Sequence, residues 1–336
     1  MAVIGTGQAH GACSLLHAAG TGYGAAISLD LPVIVKALDR PSKRELKDPD
    51  NLLTSVVDTW VENKLPLPDG LQKDAIHWAV ASKIPANRGL KSSAATSVAA
   101  IKALCEATQT TLGDAEIVSL SSQAQVAAGV SITGSIDDSW ACLTKGWKLI
   151  DANSEDIGEG VVMEGPGLNP DDWIVLIAAR EPRKVRPQLE DFGPLFNEFE
   201  KALIALQQGE LLNCLTINGR AMCSVTNDIQ GRKISNDAFI NGARSSGMSG
   251  SGPAVIIVVP SLVSSSAERI KSTLKRLMPE DQIIETIRFY EPRVENVLVE
   301  VDIRPDNNSF DVNVYFDVVG LDLPPQEFSF ILEATR

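Results

Sequence analysis

Positive charge is scarce in this 336-residue chain, which carries 30 Lys and Arg against 43 Asp and Glu for a formal net charge of −13. Broad nucleic-acid binding needs a basic surface, and so does attraction to an anionic membrane, so neither partner is expected. Cysteine is sparse too. Cys13, Cys105, Cys142, Cys214 and Cys223 are widely spaced, with no Cys-x-x-Cys pair, which argues against zinc and thioredoxin-like chemistry. Buried free thiols in a reducing compartment are the simplest account. There are 3 histidines, and His10 and His17 lack a carboxylate, cysteine or histidine at metal-ligand spacing. No apolar run is long enough to span a bilayer, and no basic segment followed by an apolar one opens the chain as a signal peptide would. A cytoplasmic location is expected. A Walker A loop, Gly-x-x-x-x-Gly-Lys-Ser/Thr, is also absent.

What is present is length and apolar content enough for two domains, or for one large domain with an extension, with 44% hydrophobic residues. The most informative stretch runs from Pro85 through Gly89-Leu90-Lys91-Ser92-Ser93 into Ala94-Ala95 and on to Leu104. Serines are good N-caps, and the alanine-rich run that follows favours helix and permits close approach by a neighbour. The expectation is a helix capped by serine, with exposed N–H donors, two hydroxyls and a lysine. That combination suits an anion such as phosphate; it also suits an ordinary capped helix. Arg88 and Lys91 supply local positive charge in an acidic protein.

Glycines at 5, 7, 11, 20, 22 and 24 suggest turns and close approach to a ligand near the start. A strand is expected over 25–36, a helix from Asn51, a strand over 73–84 leading into the phosphate-like loop, and a helix over 113–127. Asp137-Asp138 then follow several small polar residues. Adjacent side chains diverge, so only one of the pair is expected to face a site, and on these residues alone two aspartates at a helix start read most simply as caps. Trp173 to Ala179 is a buried strand. Arg180 to Pro187 is locally basic, either a solvated loop or a holder of carboxylate or phosphate. Helices are expected over 196–208 and 210–225, a glycine-serine loop from Ser245 feeding a strand, a helix over 267–277 and a strand over 282–289. The segments 297–303, 310–318 and 327–333 read as a three-stranded meander appended to the body.

Three motifs in order resemble the GHMP kinase superfamily of small-molecule kinases. The middle one is Pro85-x-x-x-Gly89-Leu90-x-Ser92-Ser93-x-Ala95, and the third is Gly247-Met248-Ser249-Gly250-Ser251-Gly252-Pro253. Within the superfamily the chain is similar to the archaeal-type shikimate kinases, on Gly20-Thr21-Gly22-Tyr23-Gly24-Ala25-Ala26, the Gly89-Leu90-Lys91-Ser92-Ser93 wording, and Thr133-Gly134-Ser135-Ile136-Asp137-Asp138. The resemblance covers residues 5–290. It implies a two-domain α+β GHMP kinase fold, with domains at 1–150 and 151–290; the β-rich extension at 291–336 lies outside the family pattern. It further implies phosphoryl transfer from MgATP to a hydroxyl of shikimate, in aromatic amino-acid biosynthesis.

The resemblance assigns ATP to Pro85, Gly89, Leu90, Lys91, Ser92, Ser93, Ala94 and Ala95, with Asn51 on the adenine side. It assigns catalysis to Asp137, which would accept the proton or orient the hydroxyl, and to Lys91. Acceptor contacts fall to Asp138, to Ser249, Gly250, Ser251 and Gly252, and to Arg183 or Arg186 as counter-ion to the carboxylate. Ser92 would contribute to Mg²⁺. Many relatives carry a magnesium-binding glutamate about ten residues before the aspartate, where this chain has Ala127, with Gln123 and Gln125 nearby. The ion would then rest on phosphates, a serine and water. Alternatives are another acceptor (homoserine, mevalonate or pantoate) or a non-catalytic nucleotide- or metabolite-binding protein. The appended strands are expected to make a homodimer contact or to cover a sheet edge.

Overall fold

The computed structural model describes residues 2–42, 46, 48, 50–131, 134–169, 171–183 and 187–287, together with the backbone of three further strands beyond 292. The chain separates into two compact units, Met1–Tyr290 and Glu291–Arg336.

The first unit opens with β1 (Val3–Leu16), α1 (Ala18–Thr21), β2 (Tyr23–Leu38), α2 (Leu52–Glu62), β3 (His77–Ser82), α3 (Ser92–Thr108), α4 (Asp114–Ala127), α5 (Ile136–Leu143), β4 (Trp147–Asp151) and β5 (Val161–Gly165). It continues with β6 (Trp173–Ala178), α6 (Phe196–Gln207), α7 (Leu211–Val225), α8 (Ile229–Ile240), β7 (Ser245–Met248), β8 (Val255–Pro260), α9 (Ser264–Leu277) and β9 (Ile283–Ile287). One sheet runs β1-β2-β4-β5, with β3 also on β2. β2 is long enough to serve two partners, pairing β4 through Tyr23–Ile27 and β3 through Val33–Leu38. The other sheet runs β7-β8-β6-β9, and all its pairings are antiparallel. The mixed α+β expectation holds.

Alanine in α3 has a packing purpose. Ala94, Ala95, Ala99, Ala100 and Ala103 are all buried, and α3 lies directly on β1. A Cβ on Gly5 or Gly7 would strike the carbonyl oxygens of Ala103 and Ala99. Those two glycines therefore permit helix–strand contact, which corrects the expectation of turns or ligand approach there: they sit inside a strand. The main core takes in β1, β2, α3, α6 and α7 side chains, with Trp60 and Phe199 among its largest fully buried members. At about 25 cal/mol per Å² of apolar surface, each such aromatic contributes a few kcal/mol.

Expected and observed elements agree at α2, β3, α4, β6, α6, α7, α9 and β9. Two differences bear on the site. The glycine-serine segment from Ser245 is first a short strand, β7, and only Ser249–Ala254 is loop. The helix after the phosphate-like loop is not capped by serine: its N-cap is Lys91, at φ 63°, with no side-chain cap bond. Ser92 and Ser93 already stand in the first turn, so their hydroxyls are past the position from which a cap reaches back.

The second unit is a sheet of β10 (Arg293–Ile303), β11 (Ser309–Val319) and β12 (Gln326–Glu333), paired antiparallel in that order.

Candidate active site

The loop before α3 has one-sided backbone hydrogen bonding. Four successive carbonyls point into the protein: Ala254 N–H donates to Arg88 O at 3.0 Å, the Ser249 hydroxyl to Gly89 O at 2.7 Å, Ala12 N–H to Leu90 O at 3.3 Å, and Ala95 N–H to Lys91 O at 2.9 Å. Among the described residues, no N–H of residues 89–94 finds a protein acceptor, and neither do the hydroxyls of Ser92 and Ser93. A peptide plane whose oxygen is held inward presents its N–H outward. The result is a row of donors running into the start of a helix, whose first N–H groups and dipole favour negative charge. This is an anion cradle.

Gly89 is indispensable to it. Its φ of +80° is left-handed, and a Cβ there would run into Ser249 O. Leu90, Ala94 and Ala95 are buried, so their side chains anchor the cradle while their backbone faces it. Asn51 stands at the N-cap of α2, exposed and at φ 54°, but the capping is done by Asp48, whose carboxylate accepts from Leu52 N–H at 3.0 Å and Leu53 N–H at 2.9 Å. No hydrogen bond among the described residues links Asn51 to the cradle.

The cradle is closed on one side by the loop after β7. Ser249 is fully buried; besides donating to Gly89 O, its Oγ accepts from Ser14 N–H at 3.1 Å. Its hydroxyl thus ties β1, the glycine loop and the cradle together. Arg180 supports the same loop from below, donating through Nε to Pro253 O at 2.8 Å and forming a bidentate pair with Asp228. Arg183 shares Asp228, at 2.8 Å, and its Nη2 lies 3.1 Å from where a Gly252 Cβ would stand. Burial works against the Asp228 carboxylate, but the bonds from Arg180 outweigh it and hold its pKa below the usual range. Burial lowers the pKa of Arg183, with Asp228 opposing. Gly250, Ser251 and Gly252 form the loop's tip; Arg186 lies outside the described residues.

Asp137 and Asp138 occupy the first turn of α5 and diverge, as adjacent positions must. Asp138 pairs with the Lys91 ammonium at 2.7 Å, both side chains largely buried. Asp137 instead faces β2, where a Cβ on Gly24 would stand 2.5 Å from its Oδ2. It lines a small pocket with Ala18, Gly24, Ile136, Ile150 and Ala152. With apolar walls and Asp138 next door, burial first and like charge second raise the Asp137 pKa to about 7, against a lowering by Lys91. Burial opposes the charge of Lys91 in turn, yet Asp138 and then Asp137 keep its pKa above the usual value. The lysine does not project from the cradle's open face: its Nζ lies 3.1 Å from where a Gly250 Cβ would be.

Several neighbours were not singled out as site residues from sequence. His17 caps α1 through Nδ1, which accepts from Ala19 N–H at 3.3 Å, and burial drives its pKa down to about 3. Asn218 Oδ1 receives the His17 N–H at 3.0 Å. On α4 the residue that faces inward is Gln125, not Ala127 or Gln123, which are exposed. Gln125 Nε2 donates to the Ser139 hydroxyl at 3.1 Å, in a buried chain with Ser121 and Ser97 that joins α3, α4 and α5. Period-3.6 spacing on α4 was the one signal available for it.

No group of three or more His, Cys, Asp or Glu among the described residues is arranged to hold a metal ion. Ser92 Oγ is unengaged, while Asp138 is occupied by Lys91. That donor set fits a hard cation bound mainly by its ligand's own oxygens and water, with one protein hydroxyl. No helix among the described residues is long and apolar enough to cross a membrane.

Comparison with known proteins bears on the fold. A family model described as GHMP kinases N terminal domain matches residues 51–146. Among solved structures, the chain is similar to Methanococcus jannaschii mevalonate kinase, at 18% identity and a TM-score of 0.64, over 85% of this chain and 98% of that one. It is similar to Lactococcus lactis galactokinase complexed with galactose, at 13% identity and 0.64, over 85% and 93%. A homoserine kinase from Cytophaga hutchinsonii gives 17% identity and 0.59, over 86% and 96%. No curated protein sequence matches the chain. The fold is that of the GHMP kinases.

Proposed function

We propose that the protein is an ATP-dependent small-molecule kinase that phosphorylates an alcohol, with shikimate as the acceptor and shikimate 3-phosphate as the product. The observation that carries the kinase reading is the cradle: four carbonyls tied inward, the N–H groups of residues 89–94 without a protein acceptor, and the Lys91 ammonium paired with Asp138 beside it. Phosphoryl transfer asks a protein mainly for positioning and charge neutralisation. The cradle N–H groups and the Ser92 and Ser93 hydroxyls would receive the phosphates. Magnesium, when bound, would supply further neutralisation of phosphate charge, with Ser92 as the chain's own contribution.

Asp137 has the environment of a proton acceptor. A carboxyl with a pKa of about 7 takes a proton from a hydroxyl far better than an ordinary aspartate does. As the acceptor oxygen bonds to the γ-phosphorus, the bond from that phosphorus to the ADP oxygen breaks, and the hydroxyl proton passes to Asp137. The shikimate reading rests on the wording of residues 20–26, 89–93 and 133–138 and on Arg183, which stands beside Gly252. With Arg180 able to hold Asp228 alone, Arg183 is suited to a substrate carboxylate, and Arg186 is its sequence neighbour in that role.

An ADP-release assay with shikimate, homoserine, mevalonate and pantoate tests this directly. Turnover is expected with shikimate. Turnover with one of the others moves the assignment to that acceptor, and ATP binding without ADP release for any would favour a non-catalytic nucleotide-binding protein.

A further inference from the structure

Two adjacent carboxylates start α5, and one lysine lies between them and the cradle. A proton acceptor needs only one carboxylate, so the second requires an explanation. Asp138 holds Lys91 Nζ through Oδ1 at 2.7 Å, and both side chains are largely buried. Lys91 is itself the N-cap of α3, in a left-handed backbone conformation, with its carbonyl bonded to Ala95 N–H and approached by the Cys142 thiol at 3.8 Å. Backbone and ammonium are thus anchored at opposite ends. The tip of the glycine loop passes over the ammonium at Gly250.

We propose that Asp138 is a positioning residue, whose ion pair holds the Lys91 ammonium beneath the glycine loop and beside Asp137, so that one carboxylate of the pair is answered by the lysine and the other is left to exchange protons. The inference deepens the kinase reading and rests on it for its catalytic meaning.

The charges facing these groups are few. Asp137 is acted on by Asp138 from its own helix and by Lys91 from the cradle. Lys91 is faced by Asp138, Asp137 and Cys142 of α5, while Cys13 of β1 and His17 beyond its end feel its charge. Burial first, and Asp138 second, push the Cys142 thiol well up, so it brings no charge. Lysine and two aspartates therefore form a closed set, and breaking the pair from either side must affect Asp137 oppositely. Removing the Asp138 charge deletes a like charge and releases Lys91 towards Asp137; both favour the ionised form. Removing the Lys91 charge leaves two carboxylates facing one another, which favours the protonated form.

The experiment is a pH titration of Asp137 in nucleotide-free protein, followed by ¹³C-carboxyl NMR of aspartate-labelled chain. Wild type, Asp138→Asn, Lys91→Met and Asp138→Glu are compared, with circular dichroism as a check on folding. Asp138→Asn is expected to move the midpoint down by about one unit or more and Lys91→Met to move it up by a similar amount, with Asp138→Glu restoring a midpoint close to wild type. Shifts in the same direction, or none, overturn the proposal. Should Asp138→Asn not fold, Lys91→Met decides alone, since a downward or absent shift contradicts the pairing. No nucleotide enters the titration, so the two readings fail separately. The expected shifts without ADP release would sink only the kinase reading; turnover without the shifts would sink only this one.

Discussion

At the scale of single residues, the site is governed by how burial divides like groups. Asp137 carries both a function and a cost. Asp137→Asn is expected to lower kcat by on the order of 10²- to 10⁴-fold while changing KM for ATP little, and steady-state kinetics with the preferred acceptor checks it. The same substitution is expected to stabilise the protein in alkali. Folding raises this pKa from 3.8 to about 7, so the folded state holds the proton more tightly, and the associated stability is lost as pH rises from about 4 through about 7. Asparagine escapes that loss. Thermal melts should show a higher Tm for the variant above pH 7 and a vanishing difference near pH 4. If Asp137 accepts the proton as proposed, it must be ionised, so kcat should fall as pH drops through about 7. Asp137 was singled out only through the resemblance. The partnership of Asp138 with Lys91 was not legible, because nothing local connects residues 47 positions apart.

Among the elements, what matters is how closely strands and loops can approach. Gly24→Ala would thrust a methyl group against the Asp137 carboxylate, at 2.5 Å from Oδ2. The expected result is at least about a tenfold loss of kcat with an unchanged circular dichroism spectrum, since Asp137 must shift and positional errors are costly in catalysis. Ser249→Ala leaves the Ser14 N–H and the Gly89 carbonyl without their partner, a loss of about 1–3 kcal/mol. Chemical denaturation should register it, together with a raised KM for ATP. Long periodic elements such as α2, α6 and α7 could be read from sequence because burial repeats along them. The helix α8 could not: it buries only Gly231, Ile234, Ser235 and Ala238, too thin an apolar stripe to stand out. The strand β5 is half exposed and alternates weakly. Serine was misjudged as a cap because the loop enters the helix through a left-handed lysine.

For the molecule as a whole, the boundary at 290/291 has a direct consequence. Met1–Tyr290 carries its own core, both of its sheets and the whole candidate site. A chain ending at 290 is expected to melt cooperatively and to bind ATP within about threefold of full length, which calorimetry tests; a molten chain would show that the last three strands are needed for folding. The inward ties of the cradle also set an order of events on the ribosome. Arg88 is held by Ala254, Gly89 by Ser249 and Leu90 by Ala12, so the loop's geometry depends on segments about 75 residues upstream and 160 downstream. A nascent chain that has emerged only through α5 already contains every residue of the nucleotide motif, yet two of its three outside fastenings do not exist. Nucleotide affinity should therefore appear late in synthesis, in one step, when Ala254 clears the exit tunnel.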